Sequence, residues 1–164
     1  MLTLSDRAAL TGVPLFADFD KSELATIARY MDAEDYAAGQ VVIWSGSENR
    51  SLYVLLGGTA VVTIQIKGEV ESVLARLEAG AHFGELTFID GKPAAGNVTA
   101  EHPCRIVSIP LAQMHKLHDE QSVIFGKLSW AMLRDLAAKL RLTNEKVHDA
   151  VQWGLDAAQI DPTG

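Results

Sequence analysis

The sequence predicts an α+β chain that is mainly β: an antiparallel barrel or jelly roll flanked by N-terminal helices and followed by a long C-terminal helix. Three observations point there. Between residues 38 and 110, short β-branched and aromatic runs recur at regular spacing with Gly, Asn and Ser between them, the pattern of antiparallel strands joined by turns. Before and after that region the apolar spacing becomes helical. At 164 residues, 48% hydrophobic and 21% charged, the chain has the make-up of one globular domain able to bury a core.

From residue 5 to 36 the spacing predicts helices, with Pro14 separating a short one from a longer one. Asp20 stands three residues before Glu23, which reads as a capping box. Leu24, Ile27, Ala28 and Met31 follow on one apolar face. Ala38-Gly39 ends the helical signal. Strands are then predicted at residues 41–44, 52–56 and 60–66, and Lys67-Gly68-Glu69 reads as a hairpin turn into a strand over 70–77. Two more are predicted over 97–100 and 105–109.

No proline falls between Pro110 and Pro162. Leu111 to His118 should form a short helix, and a long one should run from Ser122 to about Trp153, leaving 155–164 as a tail. Leu133, Leu140 and Val147 are seven apart, with Leu136, Thr143 and Ala150 three later each time. That is an a/d seam over three repeats. The same stripe would serve a helix packed on its own barrel, but this helix would span about 45 Å at 1.5 Å per residue. That exceeds the breadth of a barrel, so pairing with a second copy is expected.

The stretch from Phe83 to Val98 is of another kind. Two apolar runs flank a Gly-, Ala- and Pro-rich segment with Glu85 near its start. Ala94, Ala95 and Gly96 let a backbone approach something closely, with little side chain over their N–H groups. A short helix beginning near Glu85 would add unpaired N–H groups of the kind that attract anions. Plain tight turns use the same residues.

Phe83-Gly84-Glu85-Leu86, followed by Pro93-Ala94-Ala95-Gly96-Asn97-Val98, resembles the phosphate-binding cassette of the cyclic nucleotide-binding domain family. Its pattern is F-G-E-L, a short helix, then P-R-A-A/S-T-V. The resemblance implies that Glu85 stands where the family holds a ribose 2′-hydroxyl, and that Ala95 and Gly96 stand where backbone N–H groups receive the phosphate. The position of the phosphate-pairing arginine is Ala94, and Lys92 is the nearby lysine able to replace it. Ala38-Gly39-Gln40-Val41-Val42 is similar to the family's entry strand, and Ser51 to Gly58 is similar to its S-L-Y-x-(I/V)-L-x-G strand. Leu140 to Val147 resembles the dimerisation helix of the catabolite activator branch. There, positions matching Thr143 and Asn144 lie over the purine; the two would equally serve as register-fixing residues in a helical seam.

Other chemistries find less support. A net charge of −7 disfavours non-specific binding to nucleic acid or an anionic membrane. The ten residues after Gly154 are too few for the activator branch's DNA-reading head, so the domain reads as stand-alone and no DNA partner is expected. No signal peptide or membrane-spanning run is visible, and one cysteine suits a reducing, cytoplasmic setting. Gly91-Lys92 lacks the spacing of a P-loop. His115 and His118, beside Asp119 and Glu120, read as solvated helix residues rather than metal ligands. Cys104, with His82 or His102 considered as a haem set, reads as a buried small hydrophobe. With no hydrolase or metalloprotease signature, the expectation is a non-enzymatic, dimeric signalling or protein–protein interaction module. It would require no cofactor and bind cyclic AMP weakly or not at all, with an unidentified protein partner. The alternative is a small-molecule sensor that binds a cyclic nucleotide or related ligand.

Overall fold

The computed structural model describes residues 2–48, 50–66 and 70–159. Helix α1 (Leu4–Leu10) opens on a capping box between Thr3 and Asp6, a signal overlooked in the sequence. A 3₁₀ turn at Pro14–Phe16 follows, since proline suits the first turn of a helix and no later one. Helix α2 (Lys21–Ile27) starts at the predicted box: Asp20 Oδ1 accepts from the Glu23 N–H at 2.8 Å, and Glu23 Oε2 from the Asp20 N–H at 2.9 Å. Leu24, Ile27, Ala28 and Met31 are all buried.

The helical reading of residues 5–36 fails at its end. After a 3₁₀ turn at Ala28–Tyr30, Asp32–Tyr36 is strand β1, paired antiparallel with β8 from Asp32↔Ser108 to Tyr36↔Cys104. Asp-Ala-Glu-Asp-Tyr has weak β propensity, and pairing along the sheet edge overrides it.

The remaining strands are β2 (Val41–Ile43), β3 (Ser51–Gly57), β4 (Thr59–Ile66), β5 (Val70–Glu78), β6 (His82–Phe83), β7 (Asn97–Ala100) and β8 (Cys104–Pro110). Two residues are too short a run to show a strand period, so β6 was not expected. The predicted turn at Lys67-Gly68-Glu69 lies outside the described residues. One sheet has the order β1-β8-β3-β6, the other β2-β7-β4-β5, and every pairing is antiparallel. This is the expected jelly roll. Tyr53 and Leu55 face an inner cluster with Ile43, Phe83, Ala94, Val98 and Ile106. Leu52 and Val54, on the opposite face of β3, are also buried, because β3 is a central strand covered on both sides.

Helix α3 (Glu85–Asp90) interrupts the strands. Helix α4 (Leu111–Glu120) follows β8, and α5 (Ser122–Gln159) follows α4. The long helix passes through Gly154 rather than ending there, because Leu-Asp-Ala-Ala-Gln beyond it are helix-compatible and one glycine costs only about 1 kcal/mol. The 155–164 tail is therefore helical to Gln159. The chain forms two compact units, residues 1–128 and 129–164.

In the first unit, Glu23 meets Lys127 at 2.6 Å, and the Tyr30 hydroxyl donates to Glu120 at 2.6 Å. These contacts tie α2 to the start of α5, and the turn after α2 to α4. Among the described residues, no helix is long and apolar enough to cross a membrane.

Candidate functional site

The cassette begins where β6 leaves the sheet. Phe83 pairs with Tyr53 across β6 and β3, and their rings stack with centroids 5.1 Å apart. Gly84 then turns the chain with φ +80°, and a Cβ there would lie 2.8 Å from the Ser51 carbonyl oxygen. Only glycine satisfies both the angle and the space. Helix α3 follows at once, with Glu85 and Thr87 buried and Leu86 exposed. The sequence thus placed the start of this helix correctly, and Glu85 is a buried carboxylate, a costly feature that needs polar neighbours.

Beyond α3 the loop runs against two other segments. Ala94 is 9% exposed and belongs to the inner cluster with Tyr53 and Phe83. Its N–H donates to the Ser47 carbonyl at 2.9 Å, and its own carbonyl accepts from the Gly46 N–H at 2.8 Å. The backbone of Ala94 is therefore used in holding two loops together. Asn97 adds a third link, its Oδ1 accepting from the Ser45 N–H at 2.8 Å. Ala95 is exposed. At Gly96 a Cβ would stand 2.3 Å from the Thr63 carbonyl oxygen, where the β4–β5 register shifts between Val62 and Thr63. The close approach read from the small residue is an approach to strand β4.

Two cations stand near this loop. Lys92 is exposed and lies 3.6 Å from Asp90, whose other oxygen accepts from the Lys92 N–H. Arg50, from the segment between β2 and β3, was not anticipated: a Cβ at Gly91 would be 3.3 Å from its guanidinium. Nothing in local sequence links positions 50 and 91; the bonds of Ser45, Gly46 and Ser47 to Ala94 and Asn97 bring these loops together. Thr143 and Asn144 belong to the second unit, where the Thr143 hydroxyl donates to the Lys139 carbonyl one turn back.

Of the other polar groups weighed in the sequence, Cys104, His102 and His118 have protein partners. Cys104 is buried, and its thiol donates to the Thr59 and His102 carbonyls, each at 3.1 Å. Burial pushes that thiol above its ordinary pKa, which suppresses the reactive thiolate. His102 Nδ1 is 2.6 Å from the Thr59 hydroxyl. His118 contacts Asp119 and stands edge-on to Phe125.

Residues 33–121 match the family described as "Cyclic nucleotide-binding domain". The chain is 31% identical over 136 residues to "Glutaminase 2" of Bradyrhizobium diazoefficiens, covering 81% of this chain and 20% of that protein. It is 32% identical over 102 residues to the "cAMP-dependent protein kinase regulatory subunit" of Aspergillus niger, covering 62% of this chain and 24% of that protein. The chain thus spans a quarter or less of these relatives. Among solved structures, a cyclic nucleotide-binding domain from Methylobacillus flagellatus superposes with TM-score 0.78 at 21% identity, covering 89% of this chain and 82% of the other. The regulatory subunit of a cAMP-independent protein kinase A from Trypanosoma brucei superposes with TM-score 0.67 at 20% identity, over 78% of this chain and 44% of the other. A triple mutant of that subunit, one of whose substitutions introduces arginine, is bound to cAMP in its A site. The match covers more than half the chain and includes the whole F-G-E-L cassette, so this chain belongs to the cyclic nucleotide-binding domain family, whose members are regulatory rather than catalytic domains.

Proposed function

We propose that this chain is a non-enzymatic, dimeric regulatory module whose nucleotide cassette binds cyclic AMP weakly or not at all, and which acts through a protein partner. One observation carries the reading. The position of the family's phosphate-pairing arginine is Ala94, a buried methyl whose backbone N–H and carbonyl are already bonded to Ser47 and Gly46.

Backbone N–H groups alone do not match a desolvated guanidinium, which gives two parallel charge-assisted bonds. Removing one partner of such a pair costs about 2–5 kcal/mol. At about 3 kcal/mol within that range, a micromolar site weakens roughly 100-fold, to about 0.1 mM. The trypanosomal subunit of the same fold supports the reading, since an arginine is among the substitutions in its cAMP-bound form.

The test is calorimetry with cyclic AMP on the unmodified chain and on Ala94→Arg. The unmodified chain should bind at about 0.1 mM or weaker, and the arginine should strengthen binding at least about tenfold. Sub-micromolar binding by the unmodified chain would refute the proposal. A second reading, a sensor for a cyclic nucleotide or related ligand, is favoured by Glu85: a buried carboxylate at the ribose position is costly to retain without use. Lys92 or Arg50 would then supply the cation, and titration with cyclic GMP and cyclic di-GMP beside cyclic AMP separates the two readings.

A further inference from the structure

Helix α3 buries the wrong residues for a helix that only has to pack. Leu86 and Ile89 are 64% and 56% exposed, while Glu85 and Thr87 are 7% and 8% exposed. At 3.6 residues per turn, Thr87, the half-buried Phe88 and Glu85 cover one side of the helix, and Ile89, Leu86 and Asp90 the other. Two polar groups thus face inward and two large apolar ones face solvent, the reverse of the usual amphipathic arrangement.

Thr87 carries the argument further. Its carbonyl accepts from the Gly91 N–H at 3.1 Å, but among the described residues its hydroxyl has no hydrogen-bond partner. The Thr11, Thr26 and Thr143 hydroxyls, all more exposed, each donate to a carbonyl three or four residues back. Thr87 is the third residue of α3, so the residue four back is Phe83, which is still in β6. The Gly84 carbonyl, three back, already accepts from the Phe88 N–H at 3.1 Å. A buried hydroxyl left unbonded is a standing cost to the fold.

We propose that the Thr87 hydroxyl is a ligand-binding group, donating to an oxygen of the anion that the cassette admits. The inference rests on the reading of the cassette as a weak cyclic nucleotide site, and it names a group that supplies the affinity left there. Cα–Cβ bonds in a helix tilt toward its N-terminus, so Thr87 leans over the first turn, where Gly84 and Glu85 open the cassette. One neutral O–H bond is weaker than the two charge-assisted bonds of a guanidinium, in keeping with the methyl at Ala94 and with weak binding.

The test is calorimetry with cyclic AMP on the full chain, with Thr87→Val and Thr87→Ser each placed in the Ala94→Arg background. Thr87→Val should weaken binding at least about tenfold, and Thr87→Ser, which keeps the hydroxyl, should stay within about threefold. Without ligand, Thr87→Val should melt no lower than the unmodified chain, because a methyl of similar shape replaces an unbonded hydroxyl.

Equal affinity with and without Thr87→Val overturns the inference. So does a melting temperature that Thr87→Val lowers and Thr87→Ser recovers, since the hydroxyl is then a structural group. If neither the unmodified chain nor Ala94→Arg binds cyclic AMP, the cassette is closed and Thr87 binds nothing there. Sub-micromolar binding by the unmodified chain refutes the weak-site reading alone, and the loss on Thr87→Val still decides the role of the hydroxyl.

Discussion

Asp6 is 5% exposed, and Arg105 is what lets it keep its charge there. The guanidinium meets both carboxylate oxygens at 3.0 and 2.8 Å, and Thr3 adds its N–H and hydroxyl, each at 2.8 Å. These bonds, the one from Arg105 foremost, hold the Asp6 carboxyl well below the usual carboxylate range despite burial. A depressed folded pKa means that the pair's stabilisation is fully present above the unfolded value, about 4, and is lost progressively as pH falls below it. Asp6→Asn should therefore cost about 2–4 kcal/mol at neutral pH, because it leaves Arg105 without its main partner. The loss should shrink toward zero at low pH. Urea melts of both chains at pH 7 and pH 3 check this, and equal destabilisation at the two pH values would contradict it. Ala94 belongs to the same scale: a methyl stands where the resemblance expects a cation, and Ala94→Arg is its direct test.

At the level of elements, α5 carries the prediction with the largest structural effect. Leu140 lies at the middle of an exposed apolar stripe, and Leu140→Glu would set two carboxylates against each other in a paired seam. The expected outcome is a monomer of unchanged helicity, read by sedimentation and circular dichroism at tens of micromolar. A variant still dimeric there would remove the stripe from the interface. Elements also show where sequence reading loses its grip. Asp32–Tyr36 is polar enough for a helix end, and it is a strand because β8 presents an unpaired edge to it. The Asp20–Glu23 box, by contrast, was legible because both bonds form within four residues.

The whole chain carries a net charge of −7, which repels a polyphosphate. No binding to duplex DNA is expected at physiological salt. A gel shift at low micromolar protein that survives such salt would overturn that expectation.

At this scale too, the division between sequence and structure has a physical basis. Turn glycines, strand alternation, a capping box and the F-G-E-L run act over a few residues, so the chain by itself determined the jelly roll and the start of α3. Contacts between residues far apart in sequence belong to the tertiary structure. It brought Ser47 onto Ala94 and Arg50 beside Gly91, made Gly96 a seat for the Thr63 carbonyl, and left exposed the flank of α5 that includes Asn144. Each depends on how strands pair and which faces they cover, and burial is a property of the packed chain that no short stretch of residues carries alone.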